Sequence, residues 1–97
     1  MVEEKEIKWT LRAIQDKIDI FEYWIGRNQS TRYCEKLDRL FDHSLKLAIR
    51  FPQASKKTDY KDVRIKVVKH YLIFFWIKED CIEVIRIRDA RQDVGGY

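Results

Sequence analysis

Proline occurs once in these 97 residues, at Pro52, and glycine three times, at Gly26, Gly95 and Gly96. That scarcity excludes a proline-rich spacer, a flexible glycine tract and a glycine loop that cradles phosphate. Cysteine occurs twice, as Cys34 and Cys81, with no paired-cysteine motif near either. A disulfide framework and a cysteine-based zinc site are therefore excluded, and two buried, reduced thiols are expected. His43 and His70 are the only histidines. Nothing has metal-ligand spacing or the pattern of a nucleophile elbow, so neither a metal nor another cofactor is expected. No uninterrupted apolar run reaches membrane-spanning length, and the N-terminus is rich in Glu and Lys instead of opening an apolar leader. The expectation is a cytoplasmic protein.

What is present suits one domain over residues 1–97. Hydrophobic residues make up 45% of the chain and charged residues 37%, with both signs interspersed along most of it. That is the balance of a folded surface over a real core. The net charge of +4 is concentrated in one place. Between Ala54 and His70, Lys56, Lys57, Lys61, Arg64, Lys66 and Lys69 face only Asp59 and Asp62, and six minus two equals the whole excess. Such a field favours a polyanionic partner; a solvated loop and a charge-protected edge strand would carry the same pattern.

Hydrophobic periodicity predicts the elements. Ile7 and Trp9 alternate with Glu6 and Lys8 as in a short strand, and Thr10 can cap the helix that follows. Leu11, Ile14, Ile18, Phe21 and Ile25 recur at spacings of three and four, and Gly26 suits the left-handed residue that closes such a helix. Ser30 or Thr31 can cap a second helix with a stripe of Tyr33, Leu37, Leu40, Phe41, Leu45 and Ala48, limited by Pro52. So short a link implies an antiparallel helix hairpin. Gln53 to Asp62 reads as a loop with only Ala54 and Tyr60 to bury. Three strand patterns follow: Val63, Ile65 and Val67 alternating with charges; Tyr71 to Ile77, apolar on both faces; and Ile82 to Arg88, with Ile85 and Ile87 on one face and Arg86 and Arg88 on the other.

The predicted fold is α+β: a short strand, a helix hairpin, then a three-stranded antiparallel meander (β-α-α-β-β-β), with the helices on one face of the sheet. One side of the central strand must then lie away from the helices. An apolar patch there, carried by Leu72, Phe74 and Trp76 or by their alternating neighbours, marks a partner site unless the tail from Ala90 to Tyr97 folds back over it.

The layout and several segments resemble the RelE/ParE family of bacterial toxins. The segments are Ile7-Lys8-Trp9-Thr10 before the first helix, Phe51-Pro52 after the second, Tyr71-Leu72-Ile73-Phe74-Phe75, and above all Ile85-Arg86-Ile87-Arg88-Asp89-Ala90-Arg91-Gln92-Asp93. The last is similar to the family's closing strand and its Arg-Gln-Asp or Arg-Gln-Asn signature, although the proline usual after it is here Val94. The resemblance implies a toxin of a type II toxin-antitoxin system, of the kind linked to plasmid stabilization. A cognate antitoxin protein would neutralise it in a toxin-antitoxin hetero-oligomer, with no membrane involved. The target implied is DNA gyrase for ParE-like members and mRNA on the ribosome for RelE-like members, and the resemblance does not choose between them.

The chemistry leaves the question of an enzyme open. Metal-free RNA cleavage needs a group to activate the 2′-hydroxyl, a proton donor and cations for the phosphorane charge. The RelE-like reading would use Lys69, Arg88, Arg91 and Tyr97. Lys56, Lys57, Lys61, Arg64, Lys66 and Arg86 are the candidates for contacts to nucleic acid or another target, and Leu72, Phe74 and Trp76 for antitoxin contacts. Arg91 is the best single functional candidate; an ion pair with Asp89 or Asp93 is its structural alternative. If Arg64 and Lys66 point the same way as Arg86 and Arg88, a basic stripe flanks the aromatic strand. A stacked base or an acidic antitoxin segment could bind there. Without an assignable acid–base pair, a ParE-like or target-unassigned growth inhibitor is the first reading. A ribosome-dependent mRNA endonuclease and a non-toxic RNA-binding module are the alternatives.

Overall fold

The computed structural model describes residues 5–91. Strand β1 (Glu6–Trp9) leads into helices α1 (Leu11–Asn28) and α2 (Arg32–Arg50) and a 3-10 turn at Pro52–Ala54. Strands β2 (Lys56–Lys57), β3 (Val63–Val68), β4 (Tyr71–Ile77) and β5 (Cys81–Asp89) follow. They form one sheet in the order β1-β5-β4-β3-β2, with β3, β4 and β5 an antiparallel meander and β1 parallel to β5. The α+β arrangement is the predicted one, with one addition. Part of the expected loop from Gln53 to Asp62 is an edge strand, in which Lys56 pairs with Ile65 and Lys57 with Arg64. Two residues carry no alternation for a sequence pattern to reveal.

Helix α1 begins as expected, with the Thr10 hydroxyl accepting a hydrogen bond from the Ala13 N–H at 3.1 Å. It does not end at Gly26. The left-handed residue is Gln29, φ 52°, whose N–H bonds the Ile25 carbonyl and whose side-chain amide donates to the Gly26 carbonyl at 2.6 Å. This local closure makes glycine unnecessary at the helix end. At the start of α2 the Thr31 side chain makes no capping bond. The Ser30 hydroxyl instead accepts from the Arg32 N–H at 3.2 Å.

The core lies between α2 and the near face of the sheet. Leu37, Phe41, Leu45 and Ala48 of α2 pack on Tyr71, Ile73 and Phe75 of β4 and on Ile82, Val84 and Ile87 of β5. Helix α1 joins this core through Ala13, Ile20, Phe21 and Trp24, and the Trp24 indole N–H donates to the Tyr71 hydroxyl at 2.7 Å. Of the aliphatic stripe that announces α1 in the sequence, only Phe21 packs on the core. Leu11 is 86% exposed, and Ile14, Ile18 and Ile25 are each 40–42% exposed.

Strand β5 changes partner halfway along. Its pairing with β1 ends at Val84, whose carbonyl accepts from the Thr10 N–H at 3.0 Å as the chain turns into α1. Beyond that point the Asp16 carboxylate, on α1, takes the place of a neighbouring strand and accepts the Ile87 N–H at 2.9 Å. A β-bulge sits at the changeover: Phe75 pairs with Val84 and Phe74 with Arg86, leaving Ile85 as the extra residue. The predicted shared face for Ile85 and Ile87 is therefore corrected. Val84 and Ile87 both reach the core, whereas Ile85 joins the opposite side.

Candidate functional site

On the far face of the sheet, alternation along β4 turns Leu72, Phe74 and Trp76 away from the helices. The register sets Val63 beside Trp76 and Ile65 beside Phe74. With Ile85 and the segment from Lys57 to Lys61 they enclose an open groove of about 870 Å³. Phe74 is buried as part of this surface, while Trp76 is 45% and Tyr60 74% exposed. Tyr60 is thus not a core residue of the loop, as the sequence suggested, but part of the groove's accessible lining. Leu72 lies on the same face outside the lining, flanked in the sheet by Val67 and Arg88.

The groove's wall is built by local bonds. The Thr58 hydroxyl donates to the Val63 carbonyl at 2.8 Å and accepts from the Tyr60 N–H at 3.1 Å. Asp62 takes a positive φ of 64°, and its carbonyl accepts from the Ile77 N–H at 2.7 Å. The Lys78 ammonium sits 5.0 Å from the Trp76 ring centroid and 3.0 Å from the Glu83 carboxylate. Trp76 is thereby held in place while remaining accessible. Lys57, Lys61, Arg86 and Arg88 line the groove against a single acid, Asp59. Its floor is apolar and its charge is basic.

The other basic candidates are dispersed. Arg64 pairs with Phe75 and Lys66 with Ile73, so both belong to the helix-side face. The continuous basic stripe that would have joined them to Arg86 and Arg88 does not form. Arg64 instead donates to the Pro52 and Ser55 carbonyls at 3.5 and 3.3 Å and fastens the chain leaving α2. Lys56 is on the edge strand opposite Ile65. Lys69, at φ 57°, makes the turn from β3 to β4, and a bond from the Ala90 N–H to the His70 carbonyl draws that turn to the end of β5. Lys69, Arg88 and Arg91 therefore share one end of the sheet. Tyr97 lies outside the described residues, as do Gln92 and Asp93.

Arg91 donates to Asp89 from its backbone N–H at 2.8 Å and from its guanidinium at 3.2 and 3.0 Å. These guanidinium bonds are the main reason the Asp89 carboxyl is held below the ordinary carboxylate range. The stability this gives is present above the unfolded-state pKa and is lost as pH falls through the folded-state value. In urea titrations, the wild-type chain should be more stable than Asp89→Asn near neutral pH, and that advantage should shrink on acidification below about pH 4.

Neither histidine side chain makes a hydrogen bond or ion pair to an acid among the described residues, although His70 lies close enough to Asp89 to help lower its pKa. His43 is exposed on α2. His70 has its ring 4.4 Å from that of Tyr71, and its Nε2 is buried without a hydrogen bond. Burial is the chief factor raising the Tyr71 pKa, and the hydrogen bond its oxygen accepts from Trp24 acts in the opposite direction. Cys34 and Cys81 are free, buried thiols. For Cys34, burial raises the pKa and disfavours the reactive thiolate. No helix among the described residues is long and apolar enough to cross a membrane.

The residue that the sequence did not mark is Asp16. Its carboxylate accepts from the Arg86 guanidinium at 2.8 and 3.5 Å as well as from the Ile87 N–H. Arg86 lines the rear groove and also a cleft of about 320 Å³ between α1 and β5. An acid near the start of a helix is ordinary in sequence; only the end of β1 beside it gives it this task.

The fold thus places a helix hairpin on one face of a small mixed sheet and an open basic groove on the other. A family model described as the ParE toxin of the type II toxin-antitoxin system parDE matches residues 7–94, and the chain belongs to that family. Among solved structures it is similar to a chain from "Chromosomal ParDE TA system from P. aeruginosa", with a TM-score of 0.71 and 17% identity. That match covers 89% of this chain and 96% of the other, and at this identity it speaks for the fold. Comparison with curated proteins found no match.

Proposed function

We propose that this ParE-family toxin arrests growth by binding its target, and that a cognate antitoxin neutralises it by seating an apolar anchor in the rear groove. The observation that carries this reading is the groove itself, where accessible Trp76 and Tyr60 lie beside Phe74 under the field of Lys57, Lys61, Arg86 and Arg88. An aromatic-lined cavity whose basic side chains outnumber its one acid, Asp59, suits a peptide segment with a large apolar side chain between acidic residues. The Arg91 guanidinium is engaged by Asp89, which favours a structural role for it at the end of β5 and supports action by binding. DNA gyrase is the target that the resemblance implies for ParE-like members, and the match to the ParE family favours it over mRNA on the ribosome.

The test is induction of the chain in bacteria with and without the product of an adjoining short reading frame. The wild-type chain should arrest growth, with filamentation and DNA-damage signalling, and the neighbouring product should relieve the arrest. Trp76→Glu should escape that relief, with affinity for the antitoxin lowered about 30- to 1,000-fold, as befits a central tryptophan. New mRNA ends at ribosomal A sites would replace the binding mechanism with the endonuclease reading, in which Lys69, Arg88 and Arg91 act on RNA. Growth without arrest would overturn the toxin reading, and full rescue of Trp76→Glu would move the antitoxin elsewhere.

A further inference from the structure

Helix α2 faces the core with Leu37, Phe41, Leu45 and Ala48, and the opposite side of the same helix is a line of cations. Arg32, Lys36, Arg39, His43, Lys46 and Arg50 recur at spacings of four, three, four, three and four, and every one of them is exposed. That rhythm keeps them on one stripe, turned half a revolution from the buried residues. The stripe runs the length of the 19-residue helix, about 27 Å. His43 aside, all of it is Lys or Arg.

The acids of α2 do not neutralise this stripe. Glu35, Asp38 and Asp42 all lie on one flank, the flank turned to α1, where Lys17 pairs with Asp38. Asp42 pairs with Lys46 at 2.9 Å. Glu35 stands four residues before Arg39, a separation that suits an ion pair on a helix. The side chains of Arg32, Lys36, Arg39 and Arg50 nevertheless make no ion pair or hydrogen bond among the described residues. The other flank, with Tyr33, Leu40, Ser44 and Leu47, holds no charge. Strand β3, against which α2 packs, adds Lys66 on its helix-side face and has no acid among its six residues. On α1 the exposed acids Asp19 and Glu22 stand with the exposed Arg12 and Arg27, so that helix carries both signs. An ordinary solvated helix face laces the two signs together. On α2 they are sorted into separate strips.

Four unpaired cations in a straight line suit a partner with closely and regularly spaced negative charge. A nucleic-acid duplex supplies one phosphate about every 3.4 Å along each strand, and the stripe spans about eight such steps. Three of the four cations are arginines, whose planar forks match phosphate oxygens. A lipid surface fits poorly, because a helix that lies on a membrane buries its apolar side there, and that side of α2 is already in the core. A single strand also fits poorly, since its bases need stacking platforms and no aromatic residue lies in the stripe. We propose that the outer stripe of α2 is a backbone-contact surface for duplex DNA, engaging phosphates through Arg32, Lys36, Arg39 and Arg50 without regard to base sequence. Helix α2 covers the face of the sheet opposite the rear groove, so this surface does not depend on the groove's being the antitoxin seat.

Fluorescence anisotropy of a labelled DNA duplex of about 20 base pairs, titrated with the purified full chain between about 50 and 200 mM salt, tests this. The wild-type chain should bind with a Kd on the order of 1 to 100 µM near physiological salt, the range of binding through phosphates alone. Its log affinity should fall against log salt with a slope of about −3 to −4, one phosphate for each of the four cations. Lys36→Gln combined with Arg39→Gln should flatten that slope by about two and weaken binding about 10- to 100-fold at the lowest salt. The circular dichroism spectrum and melting temperature should stay those of the wild type, because both side chains are exposed. Lys57→Gln combined with Lys61→Gln, in the groove on the opposite face, should bind DNA as the wild type does. A wild-type chain that fails to bind at about 50 mM salt overturns the proposal. So does an α2 double variant that binds like the wild type, or a groove double variant that accounts for the loss. Tighter binding of a single-stranded RNA of equal length would overturn it in favour of a single-strand site. Tighter binding of phosphatidylserine vesicles or of polyglutamate would overturn it in favour of a membrane or an acidic protein.

Discussion

Phe75→Ala should remove most of the protein's stability, by about 3 to 5 kcal/mol, whereas Trp76→Ala, one residue along the same strand, should change it by under about 1 kcal/mol. Phe75 is fully buried in the helix-facing core, among Phe41, Leu37, Leu45, Ile73 and Val84. Its truncation forfeits the transfer energy of an aromatic ring and leaves a cavity that surrounding helices and strands cannot fully close. Domains of this size have only about 5 to 15 kcal/mol in total. The melting temperature should therefore fall by at least about 12 °C, at about 4 to 8 °C per kcal/mol. Trp76 already meets solvent over 45% of its surface, so its loss leaves no enclosed void. Urea and thermal unfolding of the two variants side by side measure the difference. Equal losses would mean that both faces of β4 are sealed, and the open groove would have to be abandoned.

Asp16→Ala should cost about 2 to 3 kcal/mol, an unusual penalty for an acid near the start of a helix. The Asp16 side chain is 11% exposed and satisfies both the Arg86 guanidinium and the Ile87 N–H. Removing it strands a donor at the sheet edge and half-buries a cation without its partner. The figure stays below that of a fully buried pair because Arg86 is 32% exposed and recovers some hydration. Asp16→Asn should lose about half as much, since its amide oxygen can still accept from Ile87. Hydrogen exchange adds a local signature: the Ile87 amide should lose protection in Asp16→Ala beyond what global destabilisation explains. Unchanged protection there would show that another group satisfies the strand edge.

Most elements were legible because their patterns are strong. The stripe of Leu37, Phe41, Leu45 and Ala48 fixed both the presence of α2 and its buried side. The doubly apolar run from Tyr71 to Ile77 identified the central strand, which lies between β5 and β3. In α1 the same logic found the helix but not its inward face. Its aliphatic ridge is the cleaner pattern, yet the core takes the mixed side, where Trp24 finds the Tyr71 hydroxyl and Lys17 lies 4.7 Å from the Trp9 ring centroid. Periodicity reports that residues share a side of a helix; it does not report what that side meets.

The groove was half legible. Alternation sets Phe74 and Trp76 on one side of β4 and Ile73 and Phe75 on the other, without saying which side meets the helices. Arg64 and Lys66 could not be placed until the register was known, because strand alternation leaves open which set faces the helices. Ile85 was misplaced because a bulge inserts one residue into the count, and neither glycine nor proline signals it here. Its cause is long-range: β1 stops at Trp9, and Asp16 takes over the edge.

That skipped step at Ile85 divides β5 into two independently phased segments. The stretch before it answers to its parallel neighbour, and the stretch after it, bearing Arg86 and Arg88, answers to a helix and to the groove. Changes in β1 that shift the first segment need not rotate the second, because the unpaired residue absorbs the slip. Such a strand can vary the side chains it turns toward the groove while its structural half stays constant.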